Sequence, residues 1–167
     1  PDGTAIRPDL FIPLAEENGM IAQITDLVVA TVIRELNALL VSDRTQHVAI
    51  NVSAGDIRSG RILPVVQKAI QDTGILPGQI WIEATESGFI DDDNCRNTIR
   101  AAREIGFVTA IDDFGTGYSS LSYLQSMAVD ILKIDRSFVT AIETGAAAGS
   151  VTSHIIDMAK ALNLKIV

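Results

Sequence analysis

Cysteine, histidine and basic charge are all scarce in this sequence. Cys95 is the single cysteine, so no internal disulfide can form, which fits a reducing cytosol. It reads as a spare thiol rather than a nucleophile. His47 and His154 are the only histidines, and neither ends an apolar strand. Each reads as structural or solvated, because a metal-binding histidine needs other ligands beside it. Lys and Arg number 13 against 21 Asp and Glu, for a net charge of −8. No basic stripe is available to neutralise phosphates, which argues against non-specific binding to nucleic acid or anionic lipid. An anionic ligand would have to be held by something other than the overall field, and bound divalent cations would serve. No apolar run reaches the ~18 residues of a membrane-spanning helix. The opening PDGTAIRPD has no signal-peptide layout, so nothing in it directs export. No Gly-x-Gly-x-x-Gly follows the first strand, and no Gly-Lys-Ser/Thr completes a P-loop.

What the chain does have is enough apolar material for a core. Hydrophobic residues make up 47% of its 167 residues and charged ones 20%, which suits one folded domain. After a Pro1–Pro8 loop, helices are expected over Phe11–Met20 and Ile21–Leu40. In the second, Leu27, Val28, Ile33, Leu36 and Leu40 take core spacing. From Val48–Val52 a strand-helix alternation begins. Strands are expected at Gln79–Thr85, Phe107–Ile111, Asp130–Ile134 and Lys165–Val167. Helices are expected at Pro64–Thr73, Asn94–Ile105, Ser119–Met127 and Thr152–Leu162, the last with Ile155, Ile156, Ala159 and Leu162 on one face. Glu143–Ser150, rich in small residues, reads as a loop and the most mobile segment. Short β-branched strands alternating with helices predict an α/β fold with a parallel sheet.

The polar residues favour a barrel. Asn51, Glu83, Asp112 and Lys133 each lie at or near the carboxyl end of a successive strand, at intervals that one βα unit can fill. In a parallel barrel those ends share one mouth, where active sites lie. Alternation puts Asn51 on a face with Ala49, Glu83 with Trp81 and Thr85, Asp112 with Ala110 and Val108, and Lys133 with Ile131 and Asp135. The opposite faces carry Val48, Ile50, Ile80, Ile82, Ile111, Leu132 and Ile134, all apolar as packing against helices requires. Carboxylates gathered in a barrel mouth repel one another unless they share cations or protons. Their oxygen-only chemistry points to Mg²⁺ or Mn²⁺.

Asp113 follows Asp112 and precedes a Gly-Thr-Gly turn. In a continuing strand it would face the helices, so it joins the site only if the strand ends there. Lys133 beside metals serves as a general base, orients a water or neutralises phosphate; its bland alternative is a structural salt bridge to Asp135 or Glu83. Glu86 lies where it can touch the Asp112–Tyr118 loop, or else is a solvated or capping acid. Glu16-Glu17 and Asp91-Asp92-Asp93 read as a solvated helix face and a helix-start region.

Taken together, IDDFGTGYSSL (111–121), LKIDRSF (132–138), NVS (51–53), IEATES (82–87) and FIPLAEENG (11–19) resemble an EAL domain, the bacterial cyclic-di-GMP phosphodiesterase family of second-messenger signalling. DDFGTGYSSL with LKID is the specific part. IEATES carries Ala84 where the family has Leu, with both glutamates kept. The resemblance implies a TIM-type (β/α) barrel that hydrolyses cyclic di-GMP to linear pGpG with two Mg²⁺ or Mn²⁺ ions. It implies Asn51, Glu83 and Asp112 as metal ligands and Asp113 for the second metal. Lys133 would position or deprotonate the attacking water, and Glu86 would hold the loop carrying the aspartates. The Glu-Ala-Leu strand and the closing units are absent from the sequence, so about five βα units of an incomplete barrel are expected, with the parent protein active and this piece alone inactive. Open strand edges imply a homodimer. The domain is expected to be cytoplasmic, in a parent with room for sensor or GGDEF domains and an inner-membrane attachment. The competing readings are an inactive EAL-like module that binds cyclic di-GMP, and an enolase-type barrel, which Gly-Thr-Gly after paired acids fits poorly.

Overall fold

The computed structural model describes residues 5–86, 93–115, 124, 127–143 and 148–167. Five strands form one parallel sheet in the order of the chain: β1 (Val48–Asn51), β2 (Ile80–Thr85), β3 (Val108–Phe114), β4 (Ile131–Ile134) and β5 (Lys165–Ile166). Sequential order with every neighbour parallel is how a (β/α) barrel advances; a doubly wound sheet reverses its order partway.

The strands are legible in their β-branched residues. Ile50, Ile80, Ile82, Ile111 and Leu132 are buried beneath the helices, and Val48 and Ile134 are partly so. At ~25 cal/mol per Å² of buried apolar surface, this row is a main source of stability. Behind it pack α1 (Pro8–Glu17), α2 (Ile21–Ser42), α3 (Ala54–Ser59), α4 (Ile62–Ile70), α5 (Asp93–Ile105), α6 (Arg136–Glu143) and α7 (Ala148–Ala161). Gln79 ties two of these layers together. Its buried amide donates to the carbonyls of Leu40 (2.8 Å), Gln46 (3.0 Å) and Asp43 (3.2 Å), fixing the end of α2 and the approach to β1 against β2. A buried amide with these partners stabilises; one without them would cost about 1–3 kcal/mol.

Several expectations need correcting. Pro8 does not close a loop but opens α1, since its missing N–H costs nothing in a first turn. Leu27 and Val28 are exposed, at 67% and 40%, while Thr25, Val29, Ile33 and Leu40 form the buried stripe of α2. A 3.6-residue pitch carries Leu27 and Val28 off that stripe. Two helices went unpredicted. α3 is nucleated by a capping box, in which Ser53 Oγ accepts the Asp56 N–H at 3.1 Å and the Asp56 carboxylate faces back to Ser53. α6 follows Asp135, whose carboxylate accepts the Ser137 N–H at 2.9 Å. Of the Glu143–Ser150 stretch expected as a loop, Glu143 ends α6 and 148–150 begin α7, and 144–147 lie outside the described residues. The Ser119–Met127 helix, apart from buried Leu124 and Met127, lies outside the described residues. Among the described residues no helix is long and apolar enough to cross a membrane.

Candidate active site

Register places the site residues side by side at the carboxyl ends of the strands. Asn51 pairs with Glu83, and Thr85 with Asp112. Glu83 is only 3% exposed. Lys133, on β4, reaches across the intervening β3: its Nζ lies 2.8 Å from Glu83 Oε2 and 3.0 Å from Asp112 Oδ2. Three successive strands thus contribute one cation and two carboxylates to a single cluster. Burial pushes the Lys133 ammonium toward neutrality, but Glu83 and Asp112 outweigh it and hold its pKa above the usual lysine value. Of the two salt-bridge partners considered from sequence, Asp135 or Glu83, the structure shows Glu83, with Asp112 as the second. Asn51 is exposed at the end of β1, beside this cluster.

Asp113 is placed by a device that alternation did not foresee. β3 does not stop at Asp112 but runs to Phe114. Ile111 pairs with Leu132 and Phe114 with Ile134, so β3 spends one more residue than β4 over this interval. This is a bulge. Asp113 takes up the extra length in the left-handed region at φ 53, its N–H on Asp112 Oδ1 at 3.0 Å. Asp113 is exposed and Phe114 buried. Desolvation, then the carboxylates of Asp112 and Asp135, raise the Asp113 pKa above the usual carboxylate range, opposed by Lys133. Two of its electrostatic neighbours, Asp112 and Lys133, belong to the cluster.

Gly115 follows at φ 102 and its N–H donates to Glu86 Oε2 at 3.0 Å. Glu86, buried, therefore touches the start of the glycine loop. The loop beyond Gly115 lies outside the described residues, as do Ser87 to Asp92 apart from what their sequence shows. His47 stacks on Trp81 with ring centroids 3.8 Å apart, and His154 is exposed on α7.

Asn51, Glu83, Asp112 and Asp113 are oxygen donors, a set whose chemistry fits a hard divalent cation. Among the described residues no three Asp, Glu, His or Cys side chains converge closely enough to enclose an ion by themselves. Lys133 supplies the positive charge between Glu83 and Asp112 instead.

A parallel βα sheet carrying acids and a lysine at its strand ends has the layout of the mouth of a barrel-type protein. The sequence model of the EAL domain family matches residues 1–167, and the chain belongs to that family, whose domains have a TIM-barrel-like fold. EAL phosphodiesterases are metal-dependent. The chain is 43% identical over 166 residues to the probable cyclic di-GMP phosphodiesterase PdeB of Escherichia coli (strain K12), covering 99% of this chain and 31% of that protein. It is 37% identical over 164 residues to the cyclic di-GMP phosphodiesterase NbdA of Pseudomonas aeruginosa, covering 97% and 21%. The chain thus spans between about a fifth and a third of the length of these curated relatives. Among solved structures, the PaMucR phosphodiesterase in complex with c-di-GMP superposes with a TM-score of 0.90 at 33% identity, over 99% of this chain and 68% of that one.

Proposed function

We propose that the protein containing this chain hydrolyses one phosphodiester of cyclic di-GMP to give linear pGpG, in bacterial second-messenger turnover. The observation that carries the reading is Lys133 bridging Glu83 and Asp112 at the ends of three neighbouring strands. Relatives named for this activity and a neighbour bound to c-di-GMP support it.

In this reading Asn51, Glu83 and Asp112 hold one divalent cation and Asp113 contributes to a second, Mg²⁺ or Mn²⁺. Bound there, the pair would supply charge stabilisation to the attacking and leaving oxygens. The acids remove the penalty of an acidic protein taking a dianionic ligand only when cations accompany them. Lys133, whose Nζ lies within hydrogen-bond distance of Glu83 and Asp112, would position or deprotonate the attacking water. Glu86 holds the glycine loop by the Gly115 N–H. We place the domain in the cytoplasm, where a nucleotide messenger is made and consumed. We propose further that the full-length protein is a homodimer; sedimentation equilibrium checks it, a dimer mass being expected.

The test is product analysis. Full-length protein with cyclic di-GMP and Mg²⁺ or Mn²⁺ should yield pGpG, and chelation should abolish it. Tight binding without pGpG would instead mark a sensor module.

A further inference from the structure

The bulge that positions Asp112 and Asp113 is gripped from behind by a residue outside the acidic cluster. An ideal Cβ built on Gly115 would lie 2.6 Å from Phe138 Cε2 and 2.9 Å from its Cζ, so the ring packs directly on the glycine's Cα. Phe138 is itself fixed. Its N–H donates to the Asp135 carbonyl at 3.1 Å, and its carbonyl accepts the Thr152 hydroxyl at 3.1 Å. Thr152, on α7, is 1% exposed. The Asp135 N–H reaches back to the Phe114 carbonyl at 3.4 Å. The residues from Phe114 to Gly115 therefore rest against the start of α6, which α7 in turn holds.

We propose that Phe138 is a positioning residue for the metal site: its ring fixes Gly115, and through Gly115 the bulge that carries Asp112 and Asp113 at one mouth. The inference rests on the reading of those acids as metal ligands. Asp113, a non-glycine residue in the left-handed region at φ 53, adopts a costly conformation that persists where neighbours hold it. Gly115 takes its φ of 102 freely and so depends on its contacts to stay in place. Glu86 supplies one restraint through the Gly115 N–H, and Phe138 supplies the other through the Cα. Removing the ring releases the bulge, and the two carboxylates lose their shared geometry without losing their chemistry.

The test uses the full-length protein with Mn²⁺ alone as the probe, titrated calorimetrically, beside cyclic di-GMP kinetics and denaturant midpoints. Phe138→Ala should weaken Mn²⁺ binding ~10-fold or more, the range seen when groups that orient metal ligands are removed. It should lower kcat with KM little changed. Phe138→Leu, which restores most of the apolar volume, should recover all but ~3-fold of the affinity. Phe107→Leu is the control, a buried phenylalanine just before β3 begins and at the opposite end of that strand from the bulge; it should lose stability and keep wild-type Mn²⁺ affinity. Equal Mn²⁺ affinity in Phe138→Leu and Phe107→Leu overturns the proposal, even where Phe138→Ala fails to fold. A wild-type protein that binds no Mn²⁺ overturns the functional reading as well. One that binds Mn²⁺ and hydrolyses cyclic di-GMP regardless of Phe138 overturns this inference alone.

Discussion

Glu86, just past the end of β2, and Gly115, just past the end of β3, are joined by one hydrogen bond of 3.0 Å from the glycine N–H to the carboxylate. Because Gly115 directly follows the bulge, this bond ties the glutamate to the segment that carries the acids. Glu86→Ala should lower both kcat and Mn²⁺ affinity ~10-fold or more. Glu86→Gln keeps an acceptor oxygen and should retain most of both. Equal losses in the two variants would show that the bond to Gly115 is not what matters.

Gly115→Ala tests the same segment from the other side. The added methyl meets the Phe138 ring at 2.6 Å on a backbone at φ 102. Strain and overpacking together should cost about 2–4 kcal/mol, read as a lowered denaturant midpoint with reduced hydrolysis. A variant as stable and active as the wild type would mean the ring does not press on the glycine in solution.

Asp56 gives a stability prediction away from the mouth. It is 2% exposed, accepts from Thr25 Oγ1 at 2.9 Å, and pairs with Arg61, which also pairs with Asp26. Burial alone would raise its pKa, but Arg61, Ser53 and Thr25 outweigh this and hold it below the ordinary value. A depressed carboxylate stabilises the fold above its unfolded pKa of ~3.9 and loses that contribution as pH falls through its lower folded value. Asp56→Asn should therefore cost about 2 kcal/mol at pH 7, from a weakened cap and a broken ion pair. The gap to the wild type should narrow toward pH 3. Urea midpoints at the two pH values measure it, and a gap that stays constant would contradict the assignment.

The sheet and the apolar helix-facing row were legible because β-branched residues alternate with polar ones at the strand ends, and one pattern fixes both strand and face. The same alternation singled out Asn51, Glu83, Asp112 and Lys133, of which the structure brings Glu83, Asp112 and Lys133 into contact. It could not find the bulge. Whether Asp113 turns to the helices or to the site depends on how β3 pairs with β4, and that pairing is a property of two strands together. α3 was readable in principle, since Ser53 and Asp56 have capping-box spacing. α6 was hinted at by Asp135 ahead of an apolar, helix-compatible stretch. Leu27 and Val28 misled because hydrophobicity alone does not say which side of a helix the core occupies. Phe138 entered the sequence reading only as the last residue of LKIDRSF, because what it touches, Gly115, lies more than twenty residues earlier.

The central claim is that Glu83, Asp112 and Lys133 form one hydrolytic site, and it is tested most directly by pGpG formation from cyclic di-GMP with Mg²⁺. The full-length wild type is compared with Asp112→Ala and Lys133→Met. Asp112→Ala should lose Mn²⁺ binding together with activity. Lys133→Met should keep Mn²⁺ binding and lose kcat ~10²–10³-fold, as removal of a positioned charge from a transition state does. Wild-type rates of pGpG release in both variants would contradict the account.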